Sequence, residues 1–270
     1  MPVLEIGPQD GIYYEYHALK RSNTATFVFV NAITGDAGMW QAEVGPTLRE
    51  AGYSTLGYNF RGQAKSPFTP GTPLNEALII GDLQQLLASL QVPKPVLVGL
   101  SIGGLYAAKA ALGGSELAGL VLVNTLRKIG PRLAWVNDMA LRVMEVGGAQ
   151  LMRDVMSPLL FGPEWLKANR KDCLQPNPEY KPLDPETGIF SLLTHMAEAD
   201  WDLPYEQLQC PVLVATGPND RVFYDAEIVV ELYSRMPNAQ EVVFKEAGHM
   251  LPVEVGPAFA EELKGFAAEL

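Results

Sequence analysis

The chain has 270 residues, 48% hydrophobic and 19% charged, with 31 acidic against 20 basic side chains for a net charge of −11. These values exclude disorder, collagen and coiled coil, argue against a phosphate backbone as partner, and leave no uncharged stretch long enough to cross a bilayer. Two scattered cysteines, Cys173 and Cys210, and three histidines leave little for a zinc site, so neither metal nor cofactor is expected. The first ten residues lack the basic patch and apolar core of a signal peptide, and the expectation is a cytoplasmic protein with reduced thiols.

In chain order, the first fifteen residues, with Gly11 at a turn, suit an antiparallel hairpin at a sheet edge. Residues 26–30, Thr-Phe-Val-Phe-Val, are β-branched and aromatic and read as a buried strand. A helix is predicted over 40–51, a strand over 53–58, a helix over 75–90, a strand over 95–98 and a helix over 102–112. Residues 120–123 form a fourth strand. The alternation then stops: 126–204 holds only helical patterns, at 133–145, 149–156, 164–172 and 186–199. It resumes with strands at 211–215 and 241–244 and helices at 226–235 and 257–270. Strands apolar on both faces and alternating with helices imply an α/β fold with a mostly parallel central sheet flanked by helices. About 80 residues between two strands is too long for a connection. The organisation read from this is a core, 1–125 and 205–270, with an inserted helical cap, 126–204.

The stretch Val96-Leu-Val-Gly-Leu-Ser-Ile-Gly-Gly104 contains Gly99-x-Ser101-x-Gly103 between a strand and an Ala-rich helix. That is the sharp turn which exposes a nucleophilic serine, with glycines where a Cβ would clash. The hydroxyl stands at a helix N-terminus, which favours developing negative charge. A serine needs a base. His17 lies in the edge hairpin and His195 in the cap as a core or lining residue, whereas His249, in Ala247-Gly-His-Met-Leu-Pro252, follows the last strand and can reach Ser101. The imidazole needs a carboxylate to fix its tautomer. Asp220, in the turn after the 211–215 strand, supplies it; Asp225 opens a helix and reads as a cap, and the end of the 120–123 strand carries no acid. The order Ser101, Asp220, His249 is that of the α/β-hydrolase triad. An oxyanion hole needs two backbone amides, assigned to Ile102 after the nucleophile and Ile33 in the loop after the 26–30 strand.

These residues resemble the α/β-hydrolase superfamily along nearly the whole chain, and within it the sequence is most similar to the 3-oxoadipate enol-lactonase group. The similarity to that group rests on Asn31 and Trp40 at the two ends of the oxyanion loop, Gly99-Leu-Ser-Ile-Gly-Gly104, Val123-Asn-Thr-Leu-Arg-Lys-Ile-Gly130 and residues 135–161. The loop Asn59-Phe-Arg-Gly-Gln-Ala-Lys-Ser66 departs from the superfamily's Asp-x-Arg-Gly-His-Gly-x-Ser at Asn59, Gln63 and Ala64. The resemblance implies a cofactor-free serine hydrolase acting on a small ester or lactone. Related acyl chemistry on the same triad (perhydrolysis, thioester or carbon–carbon hydrolysis) and a non-catalytic receptor are the alternatives. Asn31, Trp40 and Met250 are candidate substrate contacts, and Arg127, Lys128 and Arg132 gather at the cap entrance. If the resemblance extends to substrate, Arg132 binds a carboxylate and Trp135 packs on the ring. A small molecule is the expected partner, with neither nucleic acid nor membrane.

Overall fold

The structure, a computed structural model, describes residues 2–19 and 24–270; Met1 and residues 20–23, which fall within the expected core segment, lie outside the described residues. Eight strands form one sheet: β1 (Val3–Glu5), β2 (Gly11–His17), β3 (Thr26–Val30), β4 (Ser54–Tyr58), β5 (Pro95–Leu100), β6 (Gly119–Val123), β7 (Val212–Thr216) and β8 (Ala239–Val243). Their order is β1-β2-β4-β3-β5-β6-β7-β8, parallel from β4 to β8, with β1 and β2 antiparallel at one edge. This is the mostly parallel, helix-flanked sheet that the alternating pattern implies.

The period of two sorts the side chains between the faces. In β3, Phe27 and Phe29 join a core with Trp40, Leu48 and Phe259, while Val28 and Val30 join one with Leu83, Leu105 and Tyr106. Both faces are therefore sealed. The helices are α1 (Ala37–Ala42), α2 (Val44–Glu50), α3 (Glu76–Ser89), α4 (Ile102–Leu112), α5 (Pro131–Leu160), α6 (Pro163–Cys173), α7 (Gly188–Met196), α8 (Ala226–Ser234), α9 (Leu251–Glu254) and α10 (Gly256–Ala268). Helices α5 to α7 fill the long connection between β6 and β7.

Several boundaries differ from the sequence reading. Gly11 opens β2, and the turn falls before it, where the Ile6 amide donates to the Asp10 carbonyl. The helix read over 40–51 is two, broken at Glu43, because Pro46 has no amide to give the Ala42 carbonyl. Strand β8 begins two residues early and is half exposed, as an edge strand can be. The two segments read at 133–145 and 149–156 run together as α5, kinked at Gly148 (φ 63°, ψ −157°). A Cβ there would stand 2.1 Å from the Lys181 carbonyl oxygen. Among the described residues, no helix is long and apolar enough to cross a membrane.

Candidate active site

The C-terminal ends of the parallel strands converge on one place, as crevices in open α/β sheets do. Strand β5 stops at Leu100 and α4 starts at Ile102, so Ser101 makes the whole turn alone, at φ 58° and ψ −121°. A non-glycine residue held there stores backbone strain. The turn is locked by the Ser101 amide, which donates to the Val123 carbonyl at 2.8 Å. It also needs bare backbone on both sides. A Cβ on Gly99 would lie 2.4 Å from Gly104 Cα, and one on Gly103 would lie 2.3 Å from the Asn31 carbonyl oxygen.

Asp220 follows β7 and is 2% exposed. Its Oδ1 accepts from the amides of Val222 (3.0 Å) and Phe223 (2.9 Å), and its Oδ2 lies 2.6 Å from His249 Nδ1. A carboxylate only accepts, so Nδ1 carries the proton and Nε2 is left with its lone pair. Burial works to raise the Asp220 carboxyl, but His249, the Phe223 amide and Arg127 together hold it below the usual carboxylate range. The loop carrying His249 is pinned on three sides. The His249 amide donates to the Leu160 carbonyl at the end of α5, at 2.5 Å. Asn124 Nδ2 donates to the carbonyls of Gly248 (3.0 Å) and His249 (2.8 Å). Glu254 accepts from the amides of Gly248 and Met250.

Ser101 and His249 share a cavity of about 380 Å³, which Ile33, Ile102 and Met250 also line. Its walls are otherwise mostly apolar and come largely from α5 and α7, including Val136, Ala140, Met156 and Leu193. Neither the Ile33 nor the Ile102 amide is used in a turn, loop or cap bond among the described residues. A larger hollow of about 810 Å³, beside Lys94 and Ala118 at the opposite strand ends, contains none of these groups.

Asn31 and Trp40, read from the sequence as substrate contacts, are not at the cavity surface. Both are 0% exposed; Trp40 Nε1 donates to Asn31 Oδ1 at 2.9 Å, and the Trp40 ring stacks on Phe29. They buttress the loop from behind. Trp135 is 80% exposed and does not line the cavity. Arg132 does not line it either, and its Nη2 donates to the Arg221 carbonyl. Helix α5 begins at Pro131, and its inward stripe is Leu133, Val136, Asn137 and Ala140. That helical spacing turns 132 and 135 outward. Lys128 pairs with Glu231. Asp225 caps α8, and His17 and His195 lie outside the cavity.

Of the three cations that the sequence gathers at the cap entrance, Arg127, Lys128 and Arg132, the structure puts only Arg127 in the cavity wall. Arg127 is 5% exposed and lines the cavity. Its Nη2 donates to Ser101 Oγ (3.0 Å) and the Asn124 carbonyl (2.7 Å), and its Nε donates to the Thr125 carbonyl (3.3 Å). The guanidinium packs 4.5 Å from the Trp201 ring centre and 4.2 Å from that of Phe223. Burial pushes its pKa down to about 10, which leaves it a cation at neutral pH. The available signal was its place four residues past the end of a strand that borders the one leading to Ser101.

Among the described residues, no group of three or more His, Cys, Asp or Glu side chains could hold a metal ion.

The model of the alpha/beta hydrolase family matches residues 27–262. RutD of Caulobacter sp. (strain K31), by name a candidate carbamate hydrolase, is 25% identical over 97% of this chain and 98% of its own. The 3-oxoadipate enol-lactonase 2 of Acinetobacter baylyi is 27% identical over 90% of this chain and 89% of its own. Among solved structures, the enol-lactonase of Burkholderia xenovorans LB400 superposes with a TM-score of 0.80 at 22% identity, covering 99% of this chain and 100% of that one. The chain belongs to the alpha/beta hydrolase family and is a hydrolytic enzyme.

Proposed function

We propose that the protein hydrolyses a small carboxylic ester or lactone through Ser101, His249 and Asp220, with the amides of Ile33 and Ile102 as the oxyanion hole. The observation that carries this reading is the 2.6 Å contact of His249 Nδ1 with a sealed Asp220, beside the cavity that holds the strained Ser101. It leaves Nε2 as the free basic nitrogen of the imidazole. Ser101 Oγ attacks the carbonyl carbon as its proton passes to His249 Nε2. The carbonyl oxygen takes the negative charge and is met by the two amides. His249 then gives the proton to the leaving oxygen and an acyl-serine remains. Water, deprotonated by His249, attacks that ester, and the acid departs from a regenerated serine.

Ser101 makes no hydrogen bond to His249 among the described residues; its Oγ is held by Arg127. Such contacts commonly tighten only once substrate is bound. The cavity of about 380 Å³ suits a small ligand. Two relatives are named for a carbamate and an enol-lactone; hydrolysis of either breaks a bond between a carbonyl carbon and a heteroatom. The test is labelling by a fluorophosphonate, followed by a hydrolysis screen of enol-lactones, aliphatic lactones, aryl esters and thioesters. Label on Ser101, and turnover of an ester or lactone that Ser101→Ala abolishes, support the reading; an unlabelled Ser101 with no turnover overturns it.

A further inference from the structure

Arg127 is a buried guanidinium that forms no ion pair among the described residues. Asp220, whose charge it feels, is already committed to His249. Its protein acceptors are two carbonyls and the Ser101 hydroxyl, and these occupy Nε and Nη2 only. Nη1 is left with two N–H groups and no protein acceptor among the described residues. A buried charge without a counter-ion is costly, and an anionic ligand at Nη1 would offset that cost. One acidic residue, Asp36, lines the same cavity, but it is used elsewhere: its Oδ1 caps α1 at the Gly38 amide (2.7 Å) and its Oδ2 accepts from Asn59 Nδ2 (3.2 Å).

We propose that Arg127 is the specificity-determining residue of the site and binds a carboxylate on the acyl part of the substrate, a few bonds from the carbonyl that Ser101 attacks. This rests on Ser101 being the nucleophile. A planar guanidinium is matched to a carboxylate, and the bonds to Thr125 and Asn124 together with the packing on Trp201 and Phe223 fix its plane. The distance to the reacting carbon follows from the contact with the nucleophile. Nη2 is 3.0 Å from Oγ. A carbonyl carbon must come within about 3–3.5 Å of Oγ, and a paired carboxylate oxygen sits about 2.8 Å from the guanidinium nitrogen. The two groups of the substrate are therefore close. They belong to a half-ester of a short dicarboxylic acid, or to a lactone whose carboxylate is equally near. An anion that takes Nη2 also releases Oγ from Arg127 and leaves it to His249, so the correct substrate frees its own nucleophile.

The test compares phenyl hydrogen succinate with phenyl butanoate, two esters that release the same phenol. The wild-type protein should favour the half-ester at least tenfold in kcat/KM, and free succinate should compete with phenyl butanoate where succinamide does not. In Arg127→Met the ratio of the two kcat/KM values should fall roughly 10- to 100-fold, the scale of one lost charge-assisted bond. If Arg127→Met does not fold, the wild-type selectivity and the succinate competition decide alone. A wild-type protein that prefers the neutral ester and is no more sensitive to succinate than to succinamide overturns the proposal. If Ser101 is nevertheless labelled by fluorophosphonate, only the role of Arg127 has failed. Absence of both labelling and turnover removes the serine-hydrolase reading and this one with it.

Discussion

Glu254 Oε1 accepts a hydrogen bond from the backbone amide of Met250 at 2.9 Å, and its Oε2 accepts from the amides of Gly248 (2.9 Å) and Gly162 (2.7 Å). Gly248 and Met250 flank His249, so one half-buried carboxylate grips the imidazole's loop on both sides and ties it to the start of α6. Bonds to a charged acceptor are the stronger kind. Glu254→Ala should cost about 2 kcal/mol, discounted for partial exposure, and lower the melting temperature by roughly 4–8 °C. It should also lower kcat by roughly ten- to a hundredfold by misplacing His249, the proposed base, with KM little changed. A melting shift with unchanged kcat would show that the loop holds its position without Glu254.

The three residues proposed for the chemistry should fail as a unit. Ser101→Ala, His249→Ala and Asp220→Asn should each lower kcat by roughly 10³ or more, and the double mutants should lose little beyond the singles. Circular dichroism should show each one folded. Near wild-type turnover in Asp220→Asn would remove Asp220 from the mechanism.

How much of this was legible in the sequence depends on which interactions are local. The Gly99-Leu-Ser101 turn lies between a strand and a helix that are contiguous with it, and local patterning places all three. The strands 26–30 and 120–123 carry their burial in their own composition. Trp40 and Asn31 were legible as a pair at the ends of one loop, but their inward orientation depends on the sheet packed behind that loop, and Phe29 is part of it. For Arg132 and Trp135 the phase of α5 decides, and it follows from which side of that helix meets the core. Arg127 was legible as one of three cations at the cap entrance, and which of the three turns into the site was not. Its burial requires Trp201, which is 74 residues further along, and Phe223, beyond β7.

Asp220 links the site to stability in acid. Its carboxyl is held below the usual range when folded, despite burial. A depressed acid contributes stability that is complete above its unfolded value, about 3.9, and is lost as pH falls through the folded value. The stability difference between wild type and Asp220→Asn should therefore shift against the wild type as pH falls from about 5 to below about 4. Urea unfolding across that range isolates it, because every other carboxylate cancels in the subtraction. A difference independent of pH down to 3 would mean that Asp220 carries no net depression.

The loop residues that depart from the superfamily's pattern make a network of their own. Gln63 is 0% exposed, and its Nε2 donates to the carbonyls of Ala32 (2.8 Å) and Ile33 (2.7 Å). Its Oε1 accepts from the Phe60 amide (2.8 Å) and Asn31 Nδ2 (3.3 Å). Asn31 Nδ2 also reaches the Tyr58 carbonyl (2.8 Å) and Asn59 Oδ1 (3.2 Å). Gln63 thus donates two bonds to the loop that carries the Ile33 amide and accepts two behind it through one oxygen, and no single smaller side chain replaces all four. Gln63→Ala would leave the Ile33 carbonyl without a partner and the Ala32 carbonyl with only the Gly35 amide, and let the Ile33 amide drift, while the Ser101 turn, held by Val123, stays in place. Removing a donor from an oxyanion hole costs roughly 10²–10³ in kcat; displacing one through its support should cost less, about 10- to 100-fold, with KM changed by less than about threefold. Gln63→Glu keeps the shape but sets a charged acceptor against those two carbonyls, and should be worse than alanine in both stability and kcat. The measurement is steady-state kinetics on one activated ester beside thermal melting for the three proteins. Equal loss of kcat/KM in the two variants through KM alone would mean that this network shapes the pocket wall and leaves the proposed oxyanion amides where they are.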